Sequence, residues 1–263
     1  MDRGFKMMEL NFTGKTVLVT GAAQGAGKVI AQKFYESGAV VIAADLHKPE
    51  WTESCTSGQV YGVEMDVSDE QCVESTLDAV TKQAGEIDIV VNNAGIAIES
   101  PLKDFETKTW NKIFAVNANG TFYCTRYVVR GLLARGVGGR IVNIASIAGK
   151  NGFANTSAYC ASKAAVIGFT RGLAAELGAY DIGVNAICPG SVQTAMIERV
   201  IDRISANTGK TREDVRTMMQ SGIPMKRFQQ PEDVAALAMF LASDLAKNIN
   251  GESINLDGGV VRD

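Results

Sequence analysis

Seven short, β-branched apolar runs separated by longer stretches of helical period restrict the fold of this chain more than any other feature. The runs are Thr16–Thr20 (TVLVT), Val40–Ala44 (VVIAA), Val60–Met65, Ile87–Asn92 (IDIVVN), Arg140–Ala145 (RIVNIA), Gly183–Cys188 (GVNAIC) and Ser253–Asp257 (SINLD). Between them, GKVIAQKFYESG and DEQCVESTLDAVTKQAG have the pattern of amphipathic helices that end in glycine. Strands alternating with helices imply parallel βαβ units, and near-continuous apolar strands imply a sheet covered on both faces. The expectation is an α/β fold, with one doubly wound domain over residues 1–263 and a seven-stranded parallel sheet flanked by helices. A chain of 263 residues can form such a unit. Residues 1–10 read as a loose extension. Residues 196–227 break the rhythm, passing from MIERVIDRISANTG into a charged TREDVRTMMQSGIPMKR between the sixth and seventh strands. Insertions placed there are lids or substrate-binding segments at the carboxyl end of the sheet, or surface excursions without a role.

Composition removes several function classes. Net charge is −3, and no stretch concentrates Lys or Arg with aromatics between them, so neither nucleic acid nor a membrane surface is expected as a partner. No run approaches the roughly 18 apolar residues of a membrane span, and MDRGFKMMEL lacks a signal-peptide core. A cytoplasmic protein is the expectation. The five cysteines, Cys55, Cys72, Cys124, Cys160 and Cys188, form no CxxC pair, and His47 is the single histidine. Buried free thiols and no metal site follow.

A nucleotide site is legible at the strand ends. After the first strand comes TGAAQGAG, where Gly21, Gln24, Gly25, Ala26 and Gly27 open into a helix. Glycines there let the backbone bend and approach a pyrophosphate, which the helix N-terminus attracts. Asp45 ends the second strand, where a carboxylate accepts from a ribose diol and repels a 2′-phosphate. No Arg follows it, although His47 and Lys48 are close, so NAD is favoured over NADP. Asp66 and Val67 end the third strand and suit an adenine ring. Asn92, Asn93, Ala94 and Gly95 end the fourth, where a small-residue turn allows close approach to ribose. Each could also be ordinary turn chemistry.

Within TSAYCASK, Tyr159 and Lys163 stand four residues apart, on one face of a helix. Alone, the pair fits an amphipathic helix with an incidental Tyr and a solvated Lys as well as it fits chemistry. The order TGAAQGAG, NNAG, Asn117 in AVNANG, Ser146 in NIASIAG, YCASK and CPGSVQT (Cys188–Thr194) changes that. With these six elements the chain resembles the short-chain dehydrogenase/reductase family over nearly its whole length. Ala26 departs from the larger aliphatic residue usual in that family and casts no doubt on the resemblance.

The resemblance implies a Rossmann-type fold and a catalytic set of Ser146, Tyr159, Lys163 and Asn117. A free phenol titrates at about 10, and an ammonium one turn away is expected to lower that value. Tyr159 is then the general base for oxidation and the general acid for reduction. Lys163 supplies the charge and, as in the family, hydrogen-bonds the nicotinamide ribose. Ser146 polarises the substrate oxygen, and Asn117 holds a water that connects Lys163 to solvent. Pro189, Gly190, Val192 and Thr194 seat the nicotinamide. Ala161, Ala164, Ala165 and Gly168 on the Tyr159 helix suit a close helix neighbour. Family members commonly form tetramers through that helix, while internal packing explains the small residues equally well.

The region from Cys188 onward resembles the polyol and acetoin dehydrogenase branch. That resemblance implies an NAD-linked oxidoreductase for a sugar alcohol, polyol or vicinal diol and its ketone. The expected substrate pocket combines Ser146, Ala148, Asn151, Phe153, Tyr159, Ser191 and Met196. Two readings compete with it: an NADPH-dependent 3-oxoacyl thioester reductase, which shares every catalytic element, and a non-catalytic NAD-sensing protein.

Overall fold

A computed structural model describes residues 10–56 and 58–262. All seven apolar runs form strands: β1 (Thr16–Thr20), β2 (Val40–Asp45), β3 (Val60–Glu64), β4 (Ile89–Asn92), β5 (Gly139–Ile144), β6 (Ile182–Pro189) and β7 (Ser253–Leu256). They pair in parallel in the order β3-β2-β1-β4-β5-β6-β7. β4 starts two residues later than expected, at Ile89; Asp88 just before it still donates its amide to the Thr16 carbonyl (2.9 Å), accepts from the Arg140 amide (3.1 Å), and turns its carboxylate onto the Thr16 amide at 3.0 Å.

Side-chain alternation explains the two layers. Val17, Val19, Val41, Ala43 and Val91 face one side, where α1 (Gly25–Glu36) supplies Ile30 and Phe34. Leu18, Ile42, Val90 and Ile141 face the other, where α2 (Glu70–Ala84) supplies Val73 and Leu77. α3 (Thr107–Phe114) leads through a π-turn, Ala115–Asn119, into α4 (Gly120–Arg135), which packs on that second face with α5 (Ser157–Leu177). Fully burying one Leu or Phe contributes about 1.5–3 kcal/mol, so these two clusters dominate the fold.

The 196–227 segment is more regular than its sequence suggests. It forms α6 (Ala195–Thr208) and α7 (Arg212–Ser221), with their own small core of Ile197, Ile201, Val215, Ile223 and Phe228. Then α8 (Pro231–Ala242) returns to pack beside α1. The expected N-terminal extension lies outside the described residues except for Leu10, which packs against the first core cluster.

Crossovers run outward in one direction from β1 and in the other from β4. The carboxyl ends of these two neighbours therefore mark the crevice where doubly wound sheets bind ligands. Gly21 follows β1 there, and Asn93 follows β4.

Candidate active site

The crevice is built by lacing two turns together. Gly21 and Gly25 have φ of +67° and +58°, a region that favours glycine. A Cβ on Gly27 would lie 2.1 Å from the Gly21 carbonyl oxygen and 2.3 Å from Asn93 Nδ2, so only glycine lets α1 press this closely on the turn. Asn93 Nδ2 donates to the carbonyls of Thr20 (2.9 Å) and Gly21 (3.1 Å). Thr20 Oγ1 accepts from the Asn93 and Ala94 amides at 3.1 and 3.0 Å. The Asn93 side chain thus shapes the glycine turn. Gln24 takes the N-cap position of α1 with no side-chain cap, and the first turn carries no acid. Its free amides and positive dipole end fit a pyrophosphate.

Asp45 is fastened beside this turn, accepting from the Ala23 amide (2.8 Å) and the Leu46 amide (2.7 Å). It caps the turn and places a carboxylate at the second strand end. Asp66 accepts from the Ser68 amide and hydroxyl, at 2.8 and 2.7 Å. Val67 is buried and packs against α4, where a Cβ on Gly120 would come within 2.8 Å of its Cγ2.

The chemical groups converge beside Gly95. A Cβ on that glycine would lie 3.3 Å from both Asn117 Oδ1 and Lys163 Nζ, a tight fit that would press on both side chains. Lys163 is 4% exposed, donates to the Ile144 carbonyl at 2.8 Å and holds its ammonium 5.9 Å from the Tyr159 ring centre. Ser146 ends β5 and hydrogen-bonds the Tyr159 phenol. Its Oγ also accepts from the Ala148 amide at 3.1 Å, which leaves the single hydroxyl hydrogen to point at the phenol or at a substrate oxygen that takes its place. Asn117 lies in the π-turn, a distortion frequent at functional sites. Its carboxamide accepts from the Ile96 amide (2.8 Å) and donates to the Ile96 carbonyl (2.9 Å) and Ser162 Oγ (3.0 Å). With those bonds made, the carboxamide holds the Ile96 loop against α5.

Burial changes the expected electrostatics. It pushes the Tyr159 phenol above its ordinary value, opposed by the hydrogen bond from Ser146. Burial also pulls Lys163 down from 10.5 to about 8. The expectation that the ammonium draws the phenol below 10 is therefore not met. Both groups are desolvated together, and Nζ is committed to Ile144.

The segment from Pro189 to Thr194 closes the far side. Gly190 donates to Leu256 at 3.0 Å, and a Cβ there would strike Asp257 and Gln229 at 2.9 Å. Gln229 brackets the strip, donating to Ser191 at 3.0 Å and accepting from Gln193 at 2.8 Å, with Val192 bridged to it. Thr194 lies 3.5 Å from where a Cβ on Gly25 would sit, which places this strip against the glycine turn. Of the expected substrate residues, Ala148 lies buried beside Ser146, while Asn151, Phe153 and Met196 are exposed and Ser191 is half-buried.

Several supporting residues escaped the sequence reading. Thr20, Ile144, Ser162 and Gln229 act through backbone groups or through partners distant in the chain. Asn143 was visible as a polar residue inside an apolar run. It accepts from Asn92 (2.8 Å) and donates to Thr170 (2.9 Å), tying β4 and β5 to α5. Leaving such a buried amide unpaired costs about 1–3 kcal/mol.

The cysteine expectation holds in part. All five are free, but only Cys124 and Cys188 are buried. Among the described residues, no group of three or more His, Cys, Asp or Glu could hold a metal, and no helix is long and apolar enough to cross a membrane.

Residues 21–261 match a family model described as enoyl-(acyl carrier protein) reductase. The chain is a short-chain dehydrogenase/reductase. This dehydrogenase/reductase is 34% identical to meso-2,3-butanediol dehydrogenase of Serratia marcescens, over 95% of the chain and 96% of that protein. It is 36% identical to 3-oxoacyl-[acyl-carrier-protein] reductase of Thermotoga maritima, over 96% and 100%. The crystal structure of sorbitol-6-phosphate 2-dehydrogenase from Erwinia amylovora superposes with a TM-score of 0.88 at 30% identity, covering 94% of the chain and 100% of that structure. The dehydrogenase/reductase is an oxidoreductase acting on alcohols and ketones.

Proposed function

We propose that this short-chain dehydrogenase/reductase is NAD-linked and interconverts a secondary alcohol of the polyol, sugar-alcohol or vicinal-diol class with its ketone. The observation that carries the reading is the cluster of buried Ser146 and Lys163 with half-buried Tyr159, beside a glycine turn that holds the Asp45 carboxylate. Gly21, Gly25, Ala26 and Gly27 would hold the pyrophosphate, Asp45 the adenosine ribose, and Gly190, Val192 and Thr194 the nicotinamide side. Bound NAD supplies the hydride acceptor. In oxidation Tyr159 Oη accepts the hydroxyl proton of the alcohol, and in reduction it returns that proton to the carbonyl oxygen. Ser146 uses its hydroxyl hydrogen to hold the same oxygen. Lys163, charged below about pH 8, favours the phenolate electrostatically. A vicinal-diol relative supports the substrate class, and Asn151 offers an amide to a second hydroxyl.

A 3-oxoacyl thioester reductase is the second reading, favoured by the Thermotoga relative. Asp45 opposes it, because a carboxylate at that strand end disfavours the 2′-phosphate of NADPH. Initial rates with NAD and NADP across diols, polyols, hydroxyketones and 3-oxoacyl thioesters separate the two. Turnover of diols or polyols with NAD is the expected result; turnover of thioesters with NADPH alone contradicts it. Asp45→Ser should lower the NAD-over-NADP preference in kcat/KM by about 10–100-fold, the worth of a lost charge-assisted hydrogen bond.

We also infer a homotetramer assembled through α4 and α5. Ala164, Ala165 and Gly168 line an exposed face of α5, with no atom within 4 Å of a Cβ on Gly168. On α4, Phe122 and Leu133 are about 40% exposed beside it. Sedimentation equilibrium of the purified chain tests the assembly.

A further inference from the structure

The insertion between β6 and β7 is tied to the rest of the molecule at its start, along α6, and at its end, where the Met225 amide donates to the Gly258 carbonyl at 3.2 Å. At its start, Thr194 sits against the glycine turn at Gly25. Nine residues on, about 13 Å along α6 at 1.5 Å per residue, Arg203 forms an ion pair with Glu99. Every other ion pair of the insertion among the described residues is internal. Glu198 binds Arg212 and Arg216, Asp202 binds Arg212, and Glu213 binds Arg216.

Glu99 occupies a loop already tied to the site on both sides. Ile96 is gripped by the Asn117 carboxamide, and the Ser100 amide donates to the Asn155 carbonyl at 2.9 Å, in the loop that leads to Tyr159. Met196 and Arg203 lie two turns apart on one face of α6. The insertion carries its own apolar core, separate from those on the sheet, so the tie at Arg203 is what links the far end of α6 to the loop after β4.

Resting on the alcohol-dehydrogenase reading above, we infer that Glu99 and Arg203 are positioning residues for substrate: their ion pair ties the far end of α6 to the loop after β4 and sets the width of the mouth over Tyr159. Glu99 is three-quarters buried at its side chain and Arg203 somewhat over half. A pair at this depth acts at the scale of a few-fold change, not as an all-or-none gate.

The test is amide hydrogen exchange over residues 195–208, together with alcohol kinetics, for wild type, Glu99→Gln, Arg203→Gln and the reversed pair Glu99→Arg/Arg203→Glu. Each single variant should speed exchange in 195–208 and raise KM for the alcohol about three- to fivefold, with a smaller change in kcat. The reversed pair should recover both. Unchanged exchange and KM in the single variants overturn the proposal, as does a defect that the reversed pair leaves in place. A wild-type chain that turns over no diol or polyol counts against the alcohol reading instead, and the exchange measurement then decides the ion pair alone.

Discussion

Tyr159→Phe lowers kcat for alcohol oxidation by about 10²–10⁴-fold, the usual worth of a positioned general acid–base group. The ring keeps its place on α5, and what disappears is the phenolic oxygen that meets Ser146. Ser146 retains its bond from the Ala148 amide, so the change to the fold is a single hydrogen bond, about 0.5–1.5 kcal/mol. Rates and thermal melts on the same preparation check both halves. Retained turnover in a folded Tyr159→Phe variant removes the phenol from the reaction.

Lys163→Met produces an opposite pattern for a buried residue: at least a 10²-fold loss in kcat/KM with no loss of stability near pH 7. The folded pKa of about 8 lies below the ordinary 10.5, so the unfolded chain binds this proton more tightly. Burying the ammonium therefore costs about 3 kcal/mol at neutral pH, and the cost fades as pH rises from about 8 toward 10.5. Methionine keeps the apolar stem and removes that cost, while leaving the Ile144 carbonyl without its partner, worth about 1–3 kcal/mol. The two effects nearly cancel or favour the variant. Thermal melts at pH 7 and pH 10 should show wild type gaining relative to the variant at the higher pH. A variant that melts well below wild type at pH 7 would show that the lysine is structural.

How far the sequence reaches depends on the range of the interaction. Strands were legible because their apolar runs are local, and their ends fall within two residues of the expected ones. The crevice followed from them, since Gly21, Asp45 and Asn93 each sit where a strand stops. What the sequence did not show was nonlocal. Asn93 turns toward the glycine turn because α1 presses on Gly27, a contact that spans some 66 residues of chain. The Tyr159 phenol rises instead of falling because both members of the pair are desolvated, which helical spacing alone does not reveal. The first part of the insertion reads as helix-like, and the charges of the second part hid α7. Thr211, whose hydroxyl accepts from the Asp214 amide at 3.1 Å, and Gly209 at φ +70° were capping signals open to a closer reading.

The pH dependence of kcat/KM for alcohol oxidation probes the proton on Tyr159 directly. A phenol held above its ordinary value leaves the phenolate scarce at neutrality, so the rate should climb about tenfold per pH unit from pH 6. The climb should flatten near pH 8, where Lys163 gives up its charge. A profile flat from about pH 6 to pH 10 contradicts Tyr159 as the group that takes the proton.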